Sequence, residues 1–229
     1  MNLILILDKI LSMKNWILLL FFGLGMLAYG QDRVPFTDDI EKFKKEDLLN
    51  KPIQNAILFV GSSSFTMWQD VGDYFPNKTI INRGFGGSSI VHLNIFQEDL
   101  LKPYNPKQIV IYCGENDFVA EEKVTVDRVF ERYKKFYSTI RKYYPTIEVT
   151  YISIKLSPSR KEFWPKFLEL NSLIKTFMKS EKNAHYVDIT KVMEDKNGNV
   201  REDIFLEDML HMKPEGYQLW SKKLKRYLK

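Results

Sequence analysis

The sequence predicts an α/β fold: a doubly wound parallel sheet of five strands with helices on both faces. Three observations carry this. First, Ala56-Ile57-Leu58-Phe59-Val60 and Ile109-Val110-Ile111-Tyr112-Cys113 are short apolar runs without a polar break. Such runs suit strands covered on both faces, the environment of a parallel sheet. Second, strand-like runs alternate with helical patterns five times, as in βαβ units. Third, the first three runs each end in a glycine-rich or polar loop: Gly61-Ser62-Ser63-Ser64, Arg83-Gly84-Phe85-Gly86-Gly87-Ser88-Ser89 and Gly114-Glu115-Asn116-Asp117. Ligands of open parallel sheets bind at the carboxyl ends of the strands, so these loops are expected to share one rim.

Taken in order, residues 38–50 are charged with sparse apolar positions and predict a surface helix. Strand one begins at Ala56. Thr79-Ile80-Ile81-Asn82 is strand two. Residues 90–101 read as one helix with Ile90, Leu93, Leu100 and either Ile95 or Phe96 inward. Residues 108–113 are strand three. Residues 124–144 are the clearest helix, because Val126, Val129, Phe130, Tyr133, Phe136, Tyr137, Ile140 and Tyr144 keep the helical period. Residues 147–154 predict strand four, 163–179 a helix and 184–189 strand five. Asp195-Lys196-Asn197-Gly198-Asn199 is a turn. Residues 214–228 form a final helix, opened by Pro214 and facing inward through Trp220, Leu224 and Leu228.

The first 30 residues have the pattern of a secretory signal peptide. Lys14 precedes an apolar stretch from Trp16 to Ala28, and Ala28-Tyr29-Gly30 offers small residues for cleavage. The stretch is too short for a hydrocarbon core of ~30 Å. Met13 is an alternative start, which would leave 1–12 unused, and an uncut anchor is the competing reading. The expectation is an exported protein, periplasmic or secreted, whose mature chain starts at Gln31, with residues 31–229 as one domain and no stable membrane insertion after cleavage. The formal net charge of +5 is small and scattered, which argues against nucleic acid as a partner. Cys113 is the only cysteine, so no intramolecular disulfide exists. Three separated histidines give no metal-ligand spacing.

A serine nucleophile needs a base, most often histidine. His185 falls inside strand five and reads as a core residue. His92 falls on the helix after strand two, with partial exposure expected. His211 lies in a loop before the last helix, three residues after Asp208. A carboxylate at that spacing can hold Nδ1–H and turn Nε2 toward a serine, although the loop is equally compatible with a helix cap. The Ser63 and Gly87 amides and the Asn116 side chain are candidate donors to an oxyanion. Glycine at 87 allows close backbone approach. Turn geometry and an Asx-turn are the plainer readings of Gly87 and Asn116.

Taken together, Gly61-Ser62-Ser63-Ser64, Gly87, Gly114-Glu115-Asn116-Asp117 and Asp208-Met209-Leu210-His211 resemble the SGNH, or GDSL-type, hydrolase family across nearly all of residues 31–229. Arg83-Gly84-Phe85-Gly86-Gly87-Ser88 is similar to the corresponding block of its platelet-activating-factor acetylhydrolase-like branch. The resemblance implies Ser63 as nucleophile, Asp208 and His211 as the rest of a triad, and Ser63, Gly87 and Asn116 as an oxyanion hole. It also implies a three-layer α/β/α sandwich of flavodoxin-like kind, ester hydrolysis, and no metal or organic cofactor. Ser62 stands where the family usually has aspartate.

The resulting expectation is a serine esterase for short acyl esters, acetyl above all, on a small molecule or carbohydrate. Phe118 and Trp164 are candidates for setting pocket depth, or else core residues. Two other readings remain at this point. One is a lysophospholipase or thioesterase of the same family. The other is a non-catalytic module that binds a phosphate at the hydroxyl-rich loop, or a carbohydrate. The sequence leaves the oligomeric state open.

Overall fold

The computed structural model describes residues 33–121 and 123–229. Residues Phe36–Lys229 make one compact unit, and the expected leader at 1–30 lies outside the described residues. The unit is built on a five-stranded sheet of order β2-β1-β3-β4-β5, every neighbouring pair parallel. The strands are β1 Ile57–Gly61, β2 Ile80–Gly84, β3 Gln108–Tyr112, β4 Glu148–Ile152 and β5 Ala184–Val187. The expected α/β sandwich is therefore present. β1 and β3 are buried along their whole length, which is why their sequences carry no polar alternation. β2 and β5 are edges and mostly half-buried.

Side chains of a strand point alternately to its two faces, and the core divides accordingly. Leu58, Val60, Ile109, Ile111, Val149 and Tyr151 face one layer, while Ile57, Phe59, Val110, Tyr112, Ile152 and Val187 face the other. The first layer holds α1 (Thr37–Leu49), α4 (Ile90–Ile95), α5 (Gln97–Leu101), α7 (Val126–Tyr143) and α8 (Trp164–Ser180). The second holds α2 (Ser63–Thr66), α3 (Val71–Tyr74) and α9 (Pro214–Leu224). Here Trp68 stacks on Tyr217 and meets Trp220 edge-on. A short helix, α6 (Glu115–Ala120), follows β3 directly. Thr125 caps α7, its hydroxyl accepting from the Arg128 amide at 3.2 Å, a strong reason for the helix to begin there.

Three expectations change. Residues 90–101 are two helices rather than one. The backbone turns at Phe96 (φ −97°, ψ 18°), which lets Phe96, Leu100 and Leu101 all reach the core and leaves Ile95 half exposed. His185 is not a core residue. It sits on edge strand β5, 40% exposed, with Nε2 2.6 Å from Glu148 Oε2. The last helix stops at Leu224 and continues as a 3₁₀ turn, Lys225–Tyr227. That turn brings the Tyr227 carbonyl to Gln108 Nε2 at 2.6 Å, at the start of β3.

The order 2-1-3 makes β1 and β3 the place where the chain reverses its direction of travel through the sheet. At this switch the two strands close tightly. A Cβ on Gly61 would stand 2.0 Å from the Tyr112 carbonyl oxygen. Gly61→Ala is expected to cost about 3 kcal/mol or more, the upper range of overpacking, read as a fall in the urea unfolding midpoint. Gly72→Ala, where a Cβ meets open space, is the control and should change the midpoint little.

Candidate active site

The carboxyl ends of β1, β2 and β3 meet at one rim. Glycine at 61 lets the chain leave β1 while the Ser62 amide donates to the Tyr112 carbonyl at 3.0 Å and the Phe85 amide donates to the Gly61 carbonyl at 2.9 Å. Ser88 joins the loops. Its hydroxyl donates to the Gly61 carbonyl at 3.2 Å, and its own carbonyl accepts from Asn116 Nδ2 at 2.9 Å. The loop after β2 is thus tied both to the end of β1 and to the start of α6.

Ser63 is the first residue of α2, so its amide has no intrahelical acceptor. Ser62 and Ser64 are buried, Ser64 beneath the turn and against Lys155. Of the three adjacent serines only Ser63 meets a histidine: Oγ lies 3.0 Å from His211 Nε2. His211 Nδ1 lies 2.5 Å from Asp208 Oδ2. Asp208 Oδ1 accepts the amides of Leu210 and His211, each at 2.9 Å. Met209 takes a left-handed conformation (φ 52°) to close this turn. The loop is clamped at its base, where the Leu206 amide donates to the His211 carbonyl at 2.8 Å. It is clamped at its tip by the amide and hydroxyl of Ser159, both 3.0 Å from the Met209 carbonyl. Partial burial alone would raise the Asp208 carboxyl. The two amides and the imidazole outweigh it and bring it down to about 2, so this side chain stays a carboxylate.

Gly87 has φ 80°, a left-handed conformation that favours glycine. Ser63, Gly87, Asn116 and His211 line one cleft of about 350 Å³, and Thr66, Met67, Leu210 and Arg160 add to its wall. One Asn116 N–H is used on Ser88, and a primary amide has a second. The other two histidines stand apart from this cluster. His92 completes a capping box with Ser89, and burial lowers its pKa. Phe118 and Trp164 do not line the cleft. Phe118 is fully buried against Phe167, and Trp164 Nε1 donates to the Ser157 carbonyl at 2.9 Å.

Beneath the rim lies a buried polar cluster that the sequence did not reveal. Lys155 Nζ is 2.7 Å from Glu115 Oε2, 3.2 Å from the Tyr112 hydroxyl and 3.3 Å from Ser64 Oγ. Ser157 Oγ donates to Glu115 Oε1 at 2.5 Å. The neighbouring Asp117 accepts the Ile90 amide at 2.8 Å and faces Arg132 at 3.2 Å. Glu115, Asn116 and Asp117 therefore each fasten the loop after β3 to a different element. Among the described residues no group of three or more His, Cys, Asp or Glu side chains is placed to hold a metal ion. No helix among them is long and apolar enough to cross a membrane.

The model of the GDSL-like lipase/acylhydrolase family matches residues 59–219, and the chain belongs to that family. No curated protein matches the sequence. Among solved structures, one from Streptococcus pneumonia named for platelet activating factor is 21% identical with a TM-score of 0.73, covering 97% of this chain and 99% of its own. A GDSL-like lipase from Bacteroides thetaiotaomicron is 20% identical at TM-score 0.67, covering 82% of this chain and 96% of its own. A catalytic mutant of an acetylxylan esterase from Geobacillus stearothermophilus is 15% identical at TM-score 0.59, covering 76% and 94%. At these identities the likeness is one of fold.

Asp117 carries a pH signature. Burial pushes its carboxyl up, only partly offset by the Ile90 amide and Arg132, to about 6. An unfolded aspartate titrates near 3.9. Between these values the folded state binds the extra proton, so stability from this group is greatest below about pH 4 and is lost as pH rises through 6. Asp117→Asn removes that dependence. The stability difference between the two proteins should move in favour of the Asn variant between pH 4 and pH 7, by up to about 3 kcal/mol, measured by urea unfolding at each pH.

Proposed function

We propose that this member of the GDSL-like lipase/acylhydrolase family is a serine esterase that removes short acyl groups, acetyl foremost, from a carbohydrate or similar small alcohol. The observation that carries the reading is the unbroken contact from Ser63 Oγ through His211, at 3.0 Å, to Asp208, at 2.5 Å. His211 Nε2 takes the Ser63 proton as Oγ attacks the ester carbonyl. Asp208, held ionised, fixes the Nδ1–H tautomer and stabilises the imidazolium. The Ser63 and Gly87 amides and the second Asn116 N–H receive the oxyanion. The imidazolium then protonates the departing alcohol. Water, activated by the same imidazole, cleaves the acyl-enzyme to the free acid and restores Ser63.

The short-acyl part rests on the cleft. About 350 Å³ is near the lower end for ligand pockets and suits a sugar unit bearing an acetyl group better than a long chain. Likeness of fold to a structure named as an acetylxylan esterase points the same way, by analogy alone. Ser63→Ala should lower kcat/KM on 4-nitrophenyl acetate by roughly four to six orders of magnitude, and Ser62→Ala and Ser64→Ala by far less. His211→Ala should abolish the rise of kcat/KM with pH that a neutral imidazole confers, while His185→Ala keeps it. Loss of activity in Ser62→Ala instead of Ser63→Ala would shift the nucleophile by one residue. Decanoyl esters outrunning acetyl esters would overturn the substrate class.

The same reading has residues 1–30 as a secretory leader, supported by Lys14 and the apolar stretch after it. Intact-mass measurement on exported material should give a chain beginning at Gln31. A mature chain that still carries Trp16 would refute cleavage there.

A further inference from the structure

Arg160 stands out in the wall of the cleft. It is half-buried and shares the cleft with Ser63 and His211. Four other arginines are occupied: Arg83 by Glu46 and Asp47, Arg132 by Asp117 and Glu121, Arg201 by Asp203, and Arg141 by three backbone carbonyls; Arg128, which has no side-chain partner either, lies in a different depression, beside Val91 and Asn94. The Arg160 guanidinium has no hydrogen-bond or ion-pair partner among the described residues, and no carboxylate lines the cleft with it. Asp208 is committed to the far side of the imidazole, on Nδ1.

The backbone holds Arg160 where it is. It leaves helical geometry within the 3₁₀ segment Pro158–Phe163 (φ −114°, ψ 22°), and its amide donates to the Ser157 carbonyl at 3.0 Å. One residue earlier, Ser159 makes the two bonds to the Met209 carbonyl that clamp the loop carrying His211. The backbone that carries the cation is thus fixed relative to the loop that carries His211. A planar guanidinium with free donors matches two coplanar or tetrahedral oxygens bearing negative charge.

We propose that Arg160 selects esters whose alcohol portion carries an anionic group, a carboxylate or a phosphate, with an acetylated acidic sugar as the fitting class. The inference rests on the reading of Ser63 and His211 given above. The acyl group lies over the oxyanion donors and the alcohol portion extends past His211, the base that protonates it, to the guanidinium beyond. The neutral remainder of the wall, Thr66, Met67 and Leu210, accepts the rest of the sugar ring.

The test uses acetylated methyl glucoside, methyl glucuronoside and methyl glucoside 6-phosphate as substrates at low ionic strength. Wild-type kcat/KM should favour an anionic ester over the neutral one by about tenfold to a hundredfold, mainly through KM, and added salt should shrink the ratio. The glucuronoside and the 6-phosphate arms decide between carboxylate and phosphate. Arg160→Gln should bring the ratio close to one. Arg160→Lys should keep part of it, as a point charge without the fork. Lys161→Gln, altering an exposed neighbour that lies over Trp164, should keep the full ratio. The proposal is overturned by equal rates on neutral and anionic esters, by a ratio that survives in Arg160→Gln, or by an equal fall in Lys161→Gln, which would indicate diffuse positive potential. Equilibrium binding of the three deacetylated glycosides to Ser63→Ala reads the same preference without turnover. If wild type fails on every ester while Ser63→Ala still binds the anionic glycosides preferentially, the esterase reading fails and the Arg160 assignment stands. If 4-nitrophenyl acetate is hydrolysed through Ser63 without anionic preference, only the assignment fails.

Discussion

A lysine and a glutamate removed from water hold the rim together. Lys155 is 1% and Glu115 5% exposed at the side chain, with 2.7 Å between the charged atoms. Taking two such charges from water costs several kcal/mol each, and their attraction offsets this only when every remaining donor and acceptor is satisfied. Here the satisfaction is nearly complete. Tyr112 and Ser157 donate to the carboxylate, and Tyr112 and Ser64 accept from the ammonium. These partners come from the end of β3, from the segment after β4 and from α2. Removing either charge would strand the other, buried and unpaired. The pair therefore fixes the distance between Ser64, one residue from Ser63, and Glu115, one residue from Asn116.

From that anchor the rest of the rim follows by short covalent steps. Strand β1 must approach β3 closely enough for the Ser62 amide to reach the Tyr112 carbonyl, which only a glycine at 61 allows. β2, on the other side of β1, delivers Gly87 and Ser88. Asn116 is held on the Ser88 carbonyl, so on the proposed reading the third oxyanion donor is fixed by the loop that supplies the second. His211, the proposed base, arrives from far along the chain, on a loop closed by Asp208. Pre-aimed donors need no reorganisation during reaction, which is where such sites gain most.

Much of this was legible in the sequence, for identifiable reasons. β1 and β3 are covered on both faces, so their runs are purely apolar and hard to mistake. Ser63, Gly87 and Asn116 are readable as candidates because strand ends in a parallel sheet must share a rim, Asp208 and His211 because of their three-residue spacing, and the family resemblance supplies the expected role of each. What escaped depended on tertiary partners. Lys155 sits just past a strand among ordinary residues, and nothing local marks it as buried. His185 reads as internal because its run marks a strand but carries no local sign that the strand lies at the sheet edge. Phe118 directly follows a motif residue, yet helix geometry turns it into the core, Trp164 is held on the Ser157 carbonyl, and the cleft wall is drawn in part from α2 and from the clamped segments at Arg160 and Leu210. The break at Phe96 follows from packing on Phe85, since the periodicity on either side fits a continuous helix.

The carboxylates near the rim divide the work by environment. Asp117 is buried, and desolvation drives its proton affinity up to about 6. Glu115 is committed to Lys155. Asp208 is half exposed, receives two backbone amides and an imidazole, and falls to about 2. A group that orients a histidine through a catalytic cycle must stay charged while the ring gains and loses a proton, and of the three only Asp208 combines a low proton affinity with contact to His211. Solvent access, which lets water reorganise around the imidazolium, and fixed amides, which hold the carboxylate still, supply that combination together. A buried aspartate in the same place would share its proton with the ring. An exposed one without the two amides would be free to swing away. The four-residue turn from Asp208 to His211 meets both conditions within one loop, so that His211, with Asp208 behind it, meets a serine 148 positions away.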